Sequence, residues 1–307
     1  MSELSRVVVF ATGKGGTGKT SCAANVAGLA AQAEMKTLLI DLDSQANLGY
    51  DLGYADSPAA DNGKYLVKTL FNGEQSLAPV LETVRPNLDV IPGGSELDEL
   101  EEIVLARQRR GMEGRTILRD ALRGIEDDYE LIIIDTPPSR RSALVQLALA
   151  AARWIVIPTK SDRASIKGLS VLAEQVVAIR EVNPEIDVLG AVLFGMGSAA
   201  TVRRRFAAED VRTVLGDSTL LFESIIRHAE AAADDAREKG KLVYELAEVV
   251  HNAEPYWKAL KEGRSQSRIA GSAPALAEDY VLLTDELLKR IGAAEEAEAT
   301  QTQAATA

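Results

Sequence analysis

The chain has 307 residues, of which 46% are hydrophobic, and it carries a formal net charge of −12. It is long enough for one large α/β domain or two small ones, and its acidity argues against wholesale coating of nucleic acid. With one cysteine, Cys22, and two histidines, a disulfide framework, a four-cysteine metal or iron–sulfur site and a histidine-rich metal centre are excluded. No apolar run approaches the roughly 20 residues that span a bilayer, and no signal peptide is evident, so we expect a cytoplasmic protein.

Short apolar runs rich in β-branched residues alternate along the chain with longer segments whose apolar residues have helical spacing. The predicted strands are Val7–Ala11, Thr37–Leu42, Leu88–Ile91, Leu131–Asp135, Trp154–Pro158, Val188–Phe194 and Leu220–Ile226. The predicted helices are Lys19–Ala33, Tyr65–Phe71, Ser142–Ala152, Ile166–Val182, Val202–Leu215 and Pro274–Ile291. Because fully apolar strands joined by helices are buried on both faces, this pattern predicts an α/β fold with a doubly wound, mostly parallel β-sheet and helices on both faces.

The domain organisation follows from composition. Residues 1–262 show no convincing boundary and are expected to form one domain, in which the polar segment 51–64 is an exposed loop. A mobile loop is expected at 263–273, followed by a C-terminal helix at 274–291 that packs on the same domain. The tail, 292–307, consists of Ala, Glu, Thr and Gln, a composition typical of disorder.

The first predicted strand runs directly into Gly13-x-x-x-x-Gly18-Lys19-Thr20, and a helix follows. This is the context of a phosphate-binding loop, in which backbone N–H groups and the helix N-terminus face phosphate oxygens. In such a loop Lys19 contacts the β- and γ-phosphates and the Thr20 hydroxyl ligates Mg²⁺. The expected nucleotide-binding residues are Gly13, Lys14, Gly15, Gly16, Thr17, Gly18, Lys19, Thr20 and Ser21. The alternative, a glycine-rich turn without a ligand, leaves this context unexplained.

Acidic residues follow two of the predicted strands. Alternation puts Asp41 and Asp43 on the same side of the second strand, near the carboxyl edge where such sheets bind ligands. Asp135 follows three isoleucines, where a buried and unpaired carboxylate is costly, and Mg²⁺ would satisfy it. We therefore expect a metal site of Thr20, Asp41 and Asp135. Ordinary turn and capping carboxylates remain the alternative interpretation of Asp43 and Asp135.

Three motifs together resemble a known family. Lys14–Thr20, Asp41–Gln45 and Asp135–Pro138 resemble the motifs of the ParA/MinD group of deviant-Walker-A ATPases, and their spacing matches as well. Gly93-Gly94 is also similar to ParA. The similarity covers roughly residues 6–250 and, more loosely, the final helix. It implies a P-loop NTPase fold of the SIMIBI type and an ATPase of weak intrinsic turnover that uses ATP and Mg²⁺.

The resemblance also implies roles for single residues. Lys14 matches the signature lysine, which in this family crosses an ATP-sandwich homodimer to touch the partner subunit's phosphates. Lys19 and Thr20 match the ordinary phosphate and magnesium residues. Asp43 matches the acid that positions the attacking water, and Asp135 matches the Walker B acid. The expected catalytic residues are thus Lys14, Lys19 and Asp43.

Within the group, the chromosome and plasmid partition branch fits best. Relatives of the MinD type end in a basic amphipathic helix, whereas the last predicted helix contains Asp285 and Glu286 and precedes an acidic tail, so no membrane partner is expected. Nitrogenase iron-protein relatives need cluster cysteines, and this chain has Cys22 alone. The resemblance implies a nucleoid-associated protein that binds double-stranded DNA non-specifically and has a ParB-like centromere-binding partner.

The candidate DNA contacts are basic residues on or near one predicted helix. They are Arg203, Arg204, Arg205 and Arg212. Phosphate attraction is independent of sequence and sensitive to salt, which suits a protein that surveys DNA. The alternative interpretation of such a cluster is a solvated helix face.

Two other functions remain open on the sequence alone. One is an ATPase of the same group that positions a protein cargo or another assembly instead of DNA. The other is a small-molecule P-loop enzyme, such as a ligase similar to dethiobiotin synthetase, which would need a substrate pocket of its own. Lys14 and Asp43 together argue against the ligase.

Overall fold

The computed structural model describes residues 4–72, 77–138, 142–160, 162–197, 200–252, 261 and 269–306. One sheet contains β1 (Val7–Phe10), β2 (Thr37–Asp41), β3 (Leu81–Arg85), β4 (Leu88–Ile91), β5 (Leu131–Asp135), β6 (Trp154–Thr159), β7 (Asp187–Met196) and β8 (Leu221–Arg227). Their order is β3-β4-β2-β5-β1-β6-β7-β8, and every neighbouring pair is parallel except β3 with β4. The predicted doubly wound, mostly parallel sheet is confirmed.

Helices cover both faces of this sheet, as predicted. They are α1 (Lys19–Gln32), α2 (Asn47–Leu52), α3 (Lys64–Asn72), α4 (Leu97–Arg109), α5 (Ile117–Leu122), α6 (Ala143–Ala151), α7 (Arg163–Ile179), α8 (Ala200–Leu215), α9 (Glu230–Lys239), α10 (Val243–Asn252) and α11 (Ala273–Thr306). Helices α1, α2, α9, α10 and α11 enclose one hydrophobic core, and α3 to α8 enclose the other. The sequence pattern does not predict α2, α4, α5, α9 or α10; α2 and α5 are only six residues long, and α9 buries only Ala232 and Ala236 among charged residues.

The central strands β1, β2 and β5 are buried along their whole length, which explains why their sequences are apolar up to the acids Asp41 and Asp135 that end β2 and β5. Register brings their carboxyl ends together. Asp41 pairs with Asp135 across β2 and β5, and Phe10 pairs with Asp135 across β1 and β5. Since the phosphate loop leaves β1 just after Phe10, loop and acids meet at one edge of the sheet.

The edge of the sheet beyond β4 differs from the expectation. Strand β3 lies antiparallel to β4 and is half exposed. Because it mixes polar and apolar residues, its sequence lacks the apolar run that marks the other strands. The segment 51–64 is not wholly exposed, because Leu52 and Tyr54 are buried against the sheet. The predicted exposed loop is therefore wrong at its start, where α2 ends.

The C-terminal helix is longer than predicted. The expected loop 263–273 lies mostly outside the described residues, and α11 begins at Ala273. Instead of ending at Ile291, α11 continues to Thr306, through the segment for which the sequence predicts disorder. Ion pairs hold this extension to the sheet: Arg6 Nε lies 2.8 Å from Glu295 Oε1, and Arg153 pairs with Glu298. In the described part of the chain, no helix is both long and apolar enough to cross a membrane.

Candidate functional site

The phosphate loop connects β1 to α1 and approaches two other elements closely. Gly18 caps α1 with a left-handed backbone, φ 80°, and a Cβ there would lie 2.1 Å from the Phe194 ring. A Cβ on Gly13 would lie 2.5 Å from the carbonyl oxygen of Gly168 in α7. Glycine is therefore required at both positions by space, and at Gly18 also by conformation. Lys19, the first residue of α1, is buried.

The acids of β2 and β5 lie directly beside this loop. Thr20 donates its hydroxyl to Asp135 Oδ2 at 2.6 Å, and the backbone N–H of Asp43 donates to Asp41 Oδ1 at 2.9 Å. The second oxygens of the two buried carboxylates, Asp41 Oδ2 and Asp135 Oδ1, have no hydrogen-bond partner. Buried polar atoms are nearly always satisfied, so these two oxygens point to a group that binds here.

Burial governs the electrostatics of the site. Desolvation raises the pKa of Asp135 to about 7 and also raises the pKa of Asp41; repulsion from Asp43 acts in the same direction on Asp135, and repulsion from Asp135 does so on Asp41. Desolvation also lowers the pKa of Lys19, against the attraction of Asp135 and Asp43. All three groups are thus disfavoured in their charged forms. A polyanion next to Lys19 and a cation next to the carboxylates would reverse both effects.

The second lysine of the loop is held differently. Lys14 Nζ lies 2.7 Å from Oδ2 and 3.0 Å from Oδ1 of Asp162, and this ion pair is partly exposed. Asp162 also caps α7 by accepting a hydrogen bond from the backbone N–H of Ser165 at 2.8 Å. In this conformation Lys14 is paired with an acid of its own chain.

A cleft of about 430 Å³ extends from the loop toward α9 and α10. Its lining includes three residues that sequence reasoning missed: Phe194, Asp51 and Arg237. Arg237 Nε lies 3.0 Å from Asp51 Oδ1, and the Ser21 hydroxyl lies 3.5 Å from Asp51 Oδ2. Asp51 falls in the segment predicted to be exposed, and no sequence signal marks a buried acid there.

The candidate DNA-contacting arginines do not form one cluster. Arg204 Nη1 donates to the carbonyl oxygen of Glu223 on β8 at 3.0 Å, and Arg212 pairs with Glu209 at 2.8 Å. Arg205 is exposed, with its guanidinium 6.0 Å from the Phe206 ring centroid. The Arg203 side chain lies outside the described residues. Each of the three described side chains thus has a different environment.

The strand, glycine loop and helix at the carboxyl edge of a parallel sheet define a P-loop NTPase fold. The family model AAA_31, described as an AAA domain, matches residues 5–188. The chain belongs to this family, and within it to the ParA/MinD-like ATPases, as its similarity to two partitioning proteins confirms.

Two relatives and one solved structure illustrate the similarity. The chromosome partitioning protein ParA of Myxococcus xanthus is 33% identical over 212 residues, which are 67% of this chain and 70% of that protein. The chromosome partitioning protein ParA of Caulobacter vibrioides is 30% identical over 271 residues, which are 86% of this chain and 95% of that protein. The ATP complex of a McdA variant from Cyanothece has a TM-score of 0.68 at 21% identity, over 94% of this chain and 98% of that one. The last likeness concerns the fold alone.

Proposed function

We propose that this chain is a ParA-type partition ATPase. It binds ATP with Mg²⁺, forms a nucleotide-sandwich homodimer, binds DNA non-specifically, and is released when a ParB-like partner stimulates hydrolysis. The observation that carries the proposal is the convergence of two loop lysines and three acids on one edge of the sheet, beside a cleft of about 430 Å³. The two ParA relatives support the partition role by their names.

Lys19 is the residue we assign to the triphosphate. It is buried at the start of α1, and burial lowers its pKa, so a phosphate group beside it restores a favourable environment for its charge. The backbone of Gly15–Gly18 and the N-terminus of α1 add N–H donors.

The residues fit a magnesium ion. Thr20 would hold it directly, and Asp135 and Asp41 supply the two buried oxygens that lack hydrogen-bond partners. Among the described residues, no three His, Cys, Asp or Glu side chains form a metal site by themselves, so the remaining ligands must be phosphate oxygens and water. Bound Mg²⁺ supplies neutralisation of phosphate charge.

Asp43 and Lys14 act in the two remaining steps, which are attack by water and contact between the two subunits. Asp43 accepts a hydrogen bond from the backbone N–H of Gln45 at 3.0 Å, which leaves its other carboxylate oxygen to orient a water molecule toward the γ-phosphorus. The water oxygen forms the new P–O bond, the bond to the β–γ bridging oxygen breaks, and ADP and phosphate leave. Lys14 reaches the phosphates of the partner subunit after it has left Asp162.

DNA binding and release complete the cycle. We assign the DNA contacts to the end of the molecule that contains α8, with Arg205 as the exposed cation and Arg203, Arg204 and Arg212 beside it along the helix. A contact of this kind is sensitive to salt and indifferent to sequence. The protein would therefore reside on the nucleoid in the cytoplasm.

Sedimentation velocity with ATP and Mg²⁺, with and without non-specific duplex DNA, tests this proposal. The wild-type protein should sediment as a dimer with ATP and co-sediment with DNA, and as a monomer without nucleotide. Lys19→Ala should remain a monomer and fail to bind ATP, whereas Lys14→Ala should bind ATP without forming the dimer. Tight ATP binding by Lys19→Ala would contradict the site assignment.

A further inference from the structure

The connection between β6 and α7 lies against the phosphate loop. Strand β6 pairs with β1, and the backbone N–H of Ala11 donates to the carbonyl oxygen of Val156 at 3.1 Å. Farther along the chain, a Cβ on Gly168 of α7 would lie 3.3 Å from the carbonyl carbon of Gly13. Lys160 follows β6 directly and lies between these two contacts in the chain, so its backbone is held alongside the loop.

Lys160 and Asp162 have different relations to the site. Asp162 pairs with Lys14, which does not line the nucleotide cleft, whereas Lys160 is one of the lining residues. The backbone N–H of Lys160 donates to the Ser165 hydroxyl at 3.3 Å, and that hydroxyl donates to Asp162 Oδ1 at 3.0 Å. These hydrogen bonds fix the backbone at Lys160 and leave its side chain to extend into the cleft.

The Lys160 side chain runs past the end of β7. Its Cε is 3.7 Å from the position that a Cβ on Gly195 would occupy, and Gly195 also lines the cleft. The adjacent Phe194 ring packs on the phosphate loop, since a Cβ on Gly18 would lie 2.1 Å from it. The Lys160 ammonium group therefore enters the cleft beside the segment that contacts the loop.

Lys160 also differs from the arginines of the cleft, both of which are in ion pairs. Arg227 Nε lies 2.6 Å from an oxygen of Asp279, and Arg237 Nε lies 3.0 Å from an oxygen of Asp51. Within the described part of the chain, the Lys160 ammonium forms no ion pair and no hydrogen bond, although the residue is only half exposed. A partly buried charge without a partner is unfavourable, so an anion in the cleft would stabilise it.

We propose that Lys160 binds the phosphate chain of the nucleotide in its own subunit, together with Lys19. An ammonium group on a flexible chain suits phosphate oxygens, and a charge-assisted hydrogen bond to them is strong. Because Asp162 holds Lys14 in this conformation, Lys160 supplies a second cation while the protein is a monomer. The assignment rests on the proposed function and adds to it a contact that is made before dimerisation.

Calorimetric titration with ADP and Mg²⁺ tests this contact in a monomer. Lys14→Ala is the background, because that variant should bind nucleotide without forming the dimer. In this background, Lys160→Gln keeps the length of the side chain and removes its charge, so it should weaken ADP binding about tenfold. Lys160→Arg keeps the charge and should largely restore the affinity.

Lys167→Gln is the matched control in the same background. Lys167 is an exposed lysine of α7 that does not line the cleft, and its substitution removes the same charge. This variant should bind ADP like the background. Higher salt should narrow the difference between the background and Lys160→Gln, because salt screens a contact between exposed charges.

Two results would overturn the proposal. One is ADP binding by Lys160→Gln that equals that of the background, and the other is an equal loss in Lys160→Gln and Lys167→Gln. If Lys160→Gln keeps its ADP affinity in the monomer but prevents the ATP-bound dimer when Lys14 is present, Lys160 contacts the partner's nucleotide and the proposal is wrong. Failure of the wild type to bind either ADP or ATP would contradict the proposed function itself, which separates the two failures.

Discussion

Lys14 of the phosphate loop and Asp162 at the start of α7 form an ion pair, with Nζ 2.7 Å from Oδ2. The same carboxylate caps α7 through the backbone N–H of Ser165. A residue proposed to act on the partner subunit is therefore held within its own subunit. In the proposed dimer this pair would have to open before Lys14 contacts the partner's phosphates, so its strength would set part of the dimerisation equilibrium.

Asp162→Asn should favour the ATP-bound dimer. Asparagine is as good a helix cap as aspartate, so α7 keeps its cap while Lys14 loses its charged partner. A partly exposed ion pair contributes at most about 1 kcal/mol, and two such pairs open per dimer, so the dimer dissociation constant should fall by up to about thirtyfold. Sedimentation with ATP measures this constant. Lys14→Ala is the control, and weaker dimerisation of Asp162→Asn would show that Asp162 assists Lys14 instead of holding it.

The Asp162 carboxyl should titrate at low pH. The hydrogen bond from Lys14 lowers its pKa to about 2, from an ordinary value of about 3.9. Because the folded pKa is depressed, the stabilisation is complete above the ordinary value and is lost as pH falls toward 2. NMR titration of the side-chain carboxyl gives the pKa directly. It should rise in Lys14→Ala, and a value near 3.9 in the wild type would mean that the pair does not form in solution.

Asp43→Ala should bind ATP yet hydrolyse it poorly. The charge of Asp43 attracts Lys19, but in the described part of the chain Asp43 forms no hydrogen bond or ion pair with Lys19 or Thr20, so nucleotide affinity should be retained. Loss of a group that orients the attacking water typically lowers turnover by about a hundredfold or more. The rate of phosphate release measures turnover, and sedimentation with ATP detects the dimer that persists when hydrolysis is slow. Wild-type turnover in this variant would refute the assigned role.

The DNA assignment distinguishes Arg205 from Arg212. Arg205 is exposed and has no acidic partner among the described residues, whereas Arg212 pairs with Glu209 at 2.8 Å. Arg205→Ala should weaken binding to all duplex sequences and reduce the slope of log affinity against log salt by about one. Arg212→Ala should have a smaller effect. Unchanged salt slopes in both variants would place the DNA surface elsewhere.

The extension of α11 should be ordered in solution. Glu295 and Glu298 pair with Arg6 and Arg153, and the Arg153 guanidinium also lies 3.8 Å from the Trp154 ring centroid. Deletion of residues 292–307 removes two partly exposed ion pairs and should lower the free energy of unfolding by up to about 2 kcal/mol. Chemical denaturation measures the loss. Amide exchange at the rate of an unfolded peptide throughout 292–300 would restore the sequence-based expectation of disorder.

Local pattern was enough for the central strands, because β1, β2 and β5 are buried along their whole length and all their residues except Thr37, Asp41 and Asp135 are apolar. It was not enough for β3, which is half exposed, or for α9, which buries two alanines. It also failed at Asp51, because an acid buried by packing of α2 against α9 looks like any loop acid in the sequence. The continuation of α11 past Ile291 was missed for the same reason: its ion pairs involve Arg6 and Arg153, which are distant in the chain.

The sequence by itself determined the phosphate loop, seven of the eight described strands, and the family, because these depend on glycines, a lysine and apolar runs that are contiguous in the chain. Only the tertiary structure decided where Lys14 rests and that Asp41 and Asp135 each keep a buried oxygen without a partner. Those facts depend on contacts between segments far apart in sequence, and side-chain charge and burial take their values only after such segments have packed.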